Sequence, residues 1–146
     1  LLSQEYGFKI IEDASHAIGG KYLEKPIGGC QYSDITVFSF HPVKIITTGE
    51  GGAAMTNSLY LSEKMNLLRS HGITRDPDKM CNNQNNAWYY EQVKLGFNYR
   101  MTDIQAALGI SQLKYLDDFL KKHNPKINFI HLDIDQYKTQ DVIWTY

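Results

Sequence analysis

The sequence predicts an α/β fold, because apolar segments typical of buried strands alternate with segments whose apolar residues recur at helical spacing. Residues 8–13 and 35–40 are continuous apolar runs, which is typical of strands covered on both faces of a parallel sheet. Two later segments, which begin near Ser58 and Thr102, place apolar residues three and four apart after a capping side chain. With 146 residues, the chain is long enough for a single domain with its own core.

The first elements follow from local patterns at the beginning of the chain. Residues 1–6 are predicted as the end of a helix, and residues 8–13 as the first buried strand. Residues 14–20 are predicted as a loop or short helix. Residues 21–29 contain Pro26 and a glycine pair, so we expect a turn or a short hairpin there.

The middle of the chain supplies two more strands. Residues 35–40 form the second predicted strand. Pro42 follows it and disfavours helix at the preceding residue, so a turn is expected before Lys44. Residues 53–56 form a third, short strand.

Two helices and a loop are predicted after the third strand. Asn57 or Ser58 caps a helix whose apolar positions are Leu61, Met65 and Leu68. Residues 76–86 are polar and rich in asparagine, which predicts a mobile loop. Thr102 caps a further helix that is expected to continue toward Leu120. The predicted inner face of that helix consists of Ile104, Ala107, Leu108, Ile110 and Leu113.

Composition and charge exclude several classes of function. The net charge is −1 and acidic and basic residues are interspersed, so no nucleic-acid-binding surface is predicted. No apolar run approaches the roughly 20 residues that cross a bilayer, and we expect a cytoplasmic protein with no membrane partner. Cys30 and Cys81 lack the spacing of metal or redox motifs, so reduced thiols and no metal site are expected.

Three side chains at the ends of the predicted strands match the needs of pyridoxal 5′-phosphate (PLP). Asp13 ends the first strand and could pair with the ring nitrogen. Ser39 and donors of residues 47–49 could bind the phosphate. Lys44 carries the amine that condenses reversibly with an aldehyde. The three residue types together indicate a PLP site.

Each of these residues also has an ordinary structural interpretation when it is taken alone. A lysine such as Lys44 usually lies on the surface, and Asp13 could be a cap or turn residue. His16 could be a structural histidine, and Ser39 could face solvent on an alternating strand. The glycines at 51–52 could form a plain hairpin turn.

Four sequence segments, taken in order, resemble the DegT/DnrJ/StrS group of nucleotide-sugar aminotransferases, which are PLP enzymes of fold type I. The segments are EDASHA at 12–17, SFHPVK at 39–44, TTGEGG at 47–52 and LGFNYRMTDIQAALG at 95–109. The resemblance extends over roughly residues 5–120. Within the group, the chain is most similar to enzymes that aminate C4 of a UDP-linked 4-keto-6-deoxy-N-acetylhexosamine, including those of the pseudaminic acid type.

The resemblance implies a role for each residue of the cofactor site. Lys44 would form the Schiff base with PLP and later carry the proton. Asp13 would pair with the pyridinium nitrogen, and His16 would lie beside the 3′ oxygen of the ring. Ser39 would bind the phosphate.

The resemblance further implies a homodimer with shared active sites. Asn98 would reach the cofactor phosphate of the neighbouring subunit, and Arg100 would bind substrate there. The substrates would be a keto sugar nucleotide and an amino-acid donor, expected to be glutamate, in bacterial surface-glycan biosynthesis.

The same resemblance implies that the chain is a fragment. Residues 1–122 would form part of the large PLP-binding domain, a mixed sheet flanked by helices and truncated at both ends. Residues 123–146 would form a divergent or truncated tail. Two alternatives to an aminotransferase stay open: an inactive or vestigial member of the family, and a PLP-dependent sugar dehydratase. Because such dehydratases carry histidine at the lysine position, Lys44 favours transamination.

Overall fold

The computed structural model describes residues 2–82, 86 and 88–123, and these residues confirm the predicted α/β class. The helices are α1 (Leu2–Tyr6), α2 (Leu59–Leu68), α3 (Asp103–Leu113) and α4 (Leu116–His123). The strands are β1 (Ile11–Asp13), β2 (Lys21–Tyr22), β3 (Lys25–Pro26), β4 (Ile35–Ser39), β5 (Gly52–Met55), β6 (Ile73–Thr74) and β7 (Glu91–Gln92).

A three-stranded mixed sheet with the order β1-β4-β5 lies at the centre of the described residues. β1 is parallel to β4, and Asp13 is paired with Val37. β4 is antiparallel to β5, and Ser39 is paired with Gly52. β4 is the central strand, and its Thr36 is fully buried. The predicted mixed sheet is therefore confirmed, and the carboxyl ends of β1 and β4 lie side by side.

The prediction that residues 8–13 form a buried strand is wrong in length and in burial. Only Ile11–Asp13 form a strand, and the Ile11 side chain is 51% exposed. The reason is that β1 lies at the edge of the described sheet and pairs with β4 alone. Before the strand, Asp34 holds the chain by accepting hydrogen bonds from the Ile10 amide at 2.9 Å and the Lys9 amine at 2.9 Å.

The predicted hairpin at 21–29 is confirmed. β2 and β3 pair in antiparallel register, with Tyr22 opposite Lys25. The two residues between the strands, Leu23 and Glu24, have φ angles of 45° and 60°. Positive φ at both central positions is the backbone of a type I′ turn, whose twist matches that of the two strands.

Ser58 caps α2 as predicted, because its hydroxyl oxygen accepts a hydrogen bond from the Leu61 amide. The chain after α2 contains a feature that the sequence did not predict, an antiparallel pairing of β6 with β7. The segment predicted as a loop at 76–86 begins with a 3₁₀ turn, Pro77–Lys79. Residues 83–85 of that loop lie outside the described residues.

The predicted helix after Thr102 begins where expected but does not continue to Leu120. Thr102 and Gln105 form a capping box in which each side chain bonds the other's backbone amide. The helix then stops at Leu113, and α4 starts again at Leu116.

The predicted inner face of this helix is wrong. Ile104 is 85% exposed and Ile110 is 60% exposed, whereas Gly109 is buried. A β-carbon at position 109 would lie only 2.8 Å from a methyl group of Thr48. The glycine therefore lets α3 approach the segment after Lys44 closely, and this approach determines which face of the helix is covered.

No helix within residues 2–82, 86 and 88–123 is long and apolar enough to cross a membrane. The predicted domain boundary at residue 122 stays a prediction, since residues 124–146 of the predicted tail lie outside the described residues.

Candidate functional site

The sheet register brings two of the predicted site residues to one face. Residues that are directly paired in neighbouring strands share a face, and successive residues of one strand alternate between faces. Asp13 is paired with Val37, and Ser39 lies two positions further along β4. Asp13 and Ser39 are therefore on the same face at adjacent strand ends, whereas the Glu12 side chain lies on the opposite face.

The Asp13 carboxylate is held by the residue two positions later. The Ser15 hydroxyl and the Ser15 amide, the latter at 3.0 Å, both donate to the same oxygen, Oδ1. These two hydrogen bonds are the main reason that the pKa of Asp13 lies below its ordinary value, and the nearby Lys44 and His16 lower it further. Asp13 is therefore an anion at neutral pH with one oxygen already occupied.

Lys44 and His16 meet beside this carboxylate. The Lys44 amine lies 2.7 Å from Nε2 of His16, although the two residues are 28 positions apart in sequence. The turn that precedes Lys44 is the one predicted from Pro42, and the Lys44 amide donates to the His41 carbonyl at 3.0 Å. The structure thus brings Asp13, His16 and Lys44 into a single cluster.

The segment after Lys44 is fixed by α3. Ile46 is almost fully buried, and the Thr47 amide donates to the side-chain oxygen of Gln112 at 2.6 Å. The Phe40 carbonyl accepts from the Thr48 amide at 3.0 Å and from the Thr47 hydroxyl at 2.8 Å. This loop is therefore a rigid support for the lysine.

Ser39 is half-buried at the end of β4, and its oxygen accepts a hydrogen bond from the His41 amide at 3.4 Å. The hydroxyls of Thr47 and Thr48, by contrast, already donate to the carbonyls of Phe40 and Glu50. Among the described contacts, the Ser39 hydroxyl keeps its proton available for an anion.

Asn98 and Arg100 are not brought into this cluster by the described contacts. They lie on an exposed segment beside the end of α2, where the Tyr99 amide donates to the Arg69 carbonyl at 2.9 Å. The rings of Phe97 and Tyr99 stack at 4.9 Å with an angle of 9° between their planes. No hydrogen bond from the Asn98 or Arg100 side chain is found within the described part of the chain.

Two residues that contribute to the cluster were missed by the sequence analysis. Ser15 could have been found, because an aspartate followed two positions later by a donor is a common local hydrogen-bonding pattern. Gln112 could not, since it lies 65 residues from its partner Thr47 and inside a predicted helix.

The side chains of Asp13, Lys44 and Ser39 suit PLP. They offer an anion for a protonated ring nitrogen at Asp13, an amine for an aldehyde at Lys44 and a hydroxyl for a phosphate at Ser39. Within the described residues, no group of three or more His, Cys, Asp or Glu side chains is arranged to hold a metal ion.

Two surface cavities lie away from this cluster. One of 340 Å³ is lined by Glu12, Tyr22 and Tyr32, among others, and the other of 820 Å³ lies beside α2 and Lys94. Neither is lined by Asp13 or Lys44. Asp13 and His16 are exposed and Lys44 is half-buried, so solvent reaches the cluster on the described part of the chain.

Comparison with known proteins finds one family along nearly the whole chain. The model of the DegT/DnrJ/EryC1/StrS aminotransferase family matches residues 1–142. A UDP-4-amino-4,6-dideoxy-N-acetyl-β-L-altrosamine transaminase of Campylobacter jejuni is 42% identical over 135 residues, which are 92% of this chain and 33% of that protein. The chain thus spans about a third of the length of the curated relatives it matches.

Solved structures agree with this comparison. Helicobacter pylori PseC, an aminotransferase involved in the biosynthesis of pseudoaminic acid, is similar with a TM-score of 0.69 and 40% identity, covering 80% of this chain and 29% of PseC. Spr1654 of Streptococcus pneumoniae in its PLP-form has a TM-score of 0.63 at 30% identity, covering 81% of this chain and 29% of Spr1654.

Proposed function

The chain belongs to the DegT/DnrJ/EryC1/StrS aminotransferase family, whose members are PLP-dependent sugar-nucleotide aminotransferases, and from this premise we propose what it does. Its proposed reaction is transfer of an amino group from an amino acid to a keto sugar nucleotide. The observation that carries the proposal is the cluster of Lys44, His16 and Asp13, with the lysine amine 2.7 Å from the imidazole. The family alone would not require this particular chain to keep these side chains together.

Each residue of the cluster has a proposed task. PLP, when bound, supplies an electron-withdrawing ring that lets an amino acid lose its α-proton. Lys44 holds the cofactor aldehyde and carries the proton to and from the substrate carbon at Nζ. Asp13 holds the ring nitrogen in its protonated form, and His16 orients Nζ through their hydrogen bond. Ser39 donates to the phosphate.

The finer substrate proposal is amination at C4 of a UDP-linked 4-keto-6-deoxy-N-acetylhexosamine, with glutamate as the donor. The name of the Campylobacter relative supports the sugar, at 42% identity. The competing reaction, dehydration of a sugar nucleotide, is disfavoured by the lysine at position 44.

The test of the proposed function has two parts. The isolated chain is titrated with PLP and followed by absorbance, and a band near the visible edge that borohydride removes is expected. Turnover is measured in a chimaera, in which this chain replaces the matching stretch of Helicobacter pylori PseC, with glutamate and the 4-keto sugar nucleotide. An absent band together with an inactive, correctly folded chimaera would contradict the proposal.

We further propose that two copies share their active sites. Asn98 and Arg100 are exposed next to the helix capped by Thr102, and an amide and a guanidinium are suited to a phosphate dianion. In an isologous dimer, the same segment of each subunit would reach the site of the other.

Shared sites predict that two inactive variants of the chimaera restore each other. In a mixed dimer of Lys44→Ala and Asn98→Ala subunits, one site carries both changes and the other carries neither. Up to about half of the activity per mixed dimer is therefore expected to return. The control is a mixture in which both subunits carry Lys44→Ala. Mixed dimers that form, as seen by differently tagged subunits, but stay inactive would refute shared sites.

A further inference from the structure

Ser15 is anchored more firmly than an ordinary turn residue. The preceding Ala14 is 2% exposed, and its amide donates to the Val37 carbonyl at 2.9 Å, which continues the pairing of β1 with β4. The Ala17 amide then donates back to the Ala14 carbonyl at 2.9 Å. The position of Ser15 relative to the sheet is therefore set by the backbone on both sides.

Both hydrogen bonds from Ser15 go to one oxygen of Asp13. The amide and the hydroxyl donate to Oδ1, and no donor to Oδ2 is found among the described residues. Because Asp13 is exposed at a strand end, an unrestrained carboxylate would rotate among several orientations. Two donors on one oxygen hold the group in one orientation and leave the other oxygen open.

We propose that Ser15 is a positioning residue that aims Oδ2 of Asp13 at the protonated ring nitrogen of the cofactor. This inference rests on the proposed function, and it assigns the role to a residue outside the lysine, aspartate and histidine set. The lowered pKa of Asp13, caused first by the Ser15 hydroxyl, agrees with a carboxylate that is kept ionised.

A matched control exists on the other face of the same sheet. There the Ser33 hydroxyl donates to the carboxylate of Glu12 at 3.3 Å, and Thr36 donates to the same oxygen at 2.8 Å. Ser33→Ala therefore removes the same kind of hydrogen bond from the carboxylate next in sequence to Asp13, but not on the face of the cofactor site.

The experiment measures the affinity of the isolated chain for two probes, PLP and its analogue with carbon in place of the ring nitrogen. Ser15→Ala is expected to weaken PLP binding about fivefold, in line with the loss of one hydrogen bond of ordinary strength while the Ser15 amide still donates to the same oxygen, and to leave analogue binding unchanged. Ser15→Thr keeps the hydroxyl and is expected to bind PLP like the unchanged chain. Ser33→Ala is expected to leave both affinities unchanged.

The possible results separate this inference from the proposed function. If the chain without substitutions binds neither probe, the proposed function is overturned. The assignment of Ser15 to orienting Asp13 toward the ring nitrogen is then overturned with it. A chain that binds PLP, but whose Ser15→Ala variant weakens both probes equally or neither, overturns the Ser15 inference alone. The Asp13 carboxyl pKa, followed by NMR without cofactor, is expected to rise in Ser15→Ala; an unchanged value also overturns the inference.

Discussion

Lys44→Ala is expected to abolish covalent attachment of PLP and to lower the turnover of the chimaera roughly 10²–10⁴-fold. The reason is that, in the proposed mechanism, the side chain acts both as the nucleophile that holds the cofactor and as the group that moves the proton. The subunit should stay folded, because the only side-chain hydrogen bond described for Lys44 is the one to His16. Circular dichroism and thermal unfolding check the fold, and steady-state kinetics check the turnover.

Two further variants separate the chemistry of Lys44 from its charge. Lys44→Arg keeps the positive charge but cannot condense with an aldehyde at neutral pH, so it is expected to be as inactive as Lys44→Ala. Lys25→Ala removes a lysine from the exposed hairpin and should change neither PLP attachment nor turnover. Borohydride reduction followed by peptide mapping is expected to label Lys44; a label on Lys21, Lys25 or Lys64 instead would show that the assignment is wrong.

Asp13→Ala is expected to slow proton removal from the amino donor roughly 10²–10³-fold in the chimaera, while PLP still binds to Lys44. The reason is that a ring nitrogen without its carboxylate loses a preorganised charge interaction of a size that typically costs a few kcal/mol of barrier. Stopped-flow absorbance of the half-reaction with glutamate measures the rate. Asp13→Asn, which has nearly the same shape, should be similarly slow because the loss is of charge.

Glu12→Gln is the control for Asp13, because Glu12 is the neighbouring acid of β1 and its carboxylate lies on the opposite face with Thr36. Its half-reaction rate should stay close to that of the unchanged protein. A near-normal rate in Asp13→Ala would rule out the proposed pairing with the ring nitrogen.

The pKa of Asp13 determines how the contribution of this carboxyl group to folding stability depends on pH. The ordinary value is 3.8, and hydrogen bonds from Ser15 lower it in the folded chain. A group whose pKa is lowered on folding contributes stability that is present above its unfolded pKa and is lost as the pH falls through its folded pKa. The loss of this stability therefore begins near pH 3.8 and lies in the acid range. Changes in stability near neutral pH must come from groups other than Asp13.

Much of the local structure could be predicted from short stretches of sequence. Ser58 and Thr102 cap their helices where expected, and the hairpin forms at the predicted glycine- and proline-containing segment. These features depend on hydrogen bonds between residues at most a few positions apart, so a local pattern is sufficient to identify them. The strand at 8–13 was predicted too long and too buried, because a run of apolar residues does not tell whether its strand lies at an edge.

The sequence by itself determined the fold class, the caps of α2 and α3, the β2–β3 hairpin and the residue types of the proposed cofactor site. Only the tertiary structure decided that Lys44 meets His16, that Gln112 fixes the loop after the lysine, and that α3 turns Gly109 rather than Ile104 toward its neighbours. The physical reason is that each of these contacts joins residues between 28 and 65 positions apart or depends on how closely two elements approach. Such contacts follow from the register and packing of the whole sheet, which no local pattern encodes.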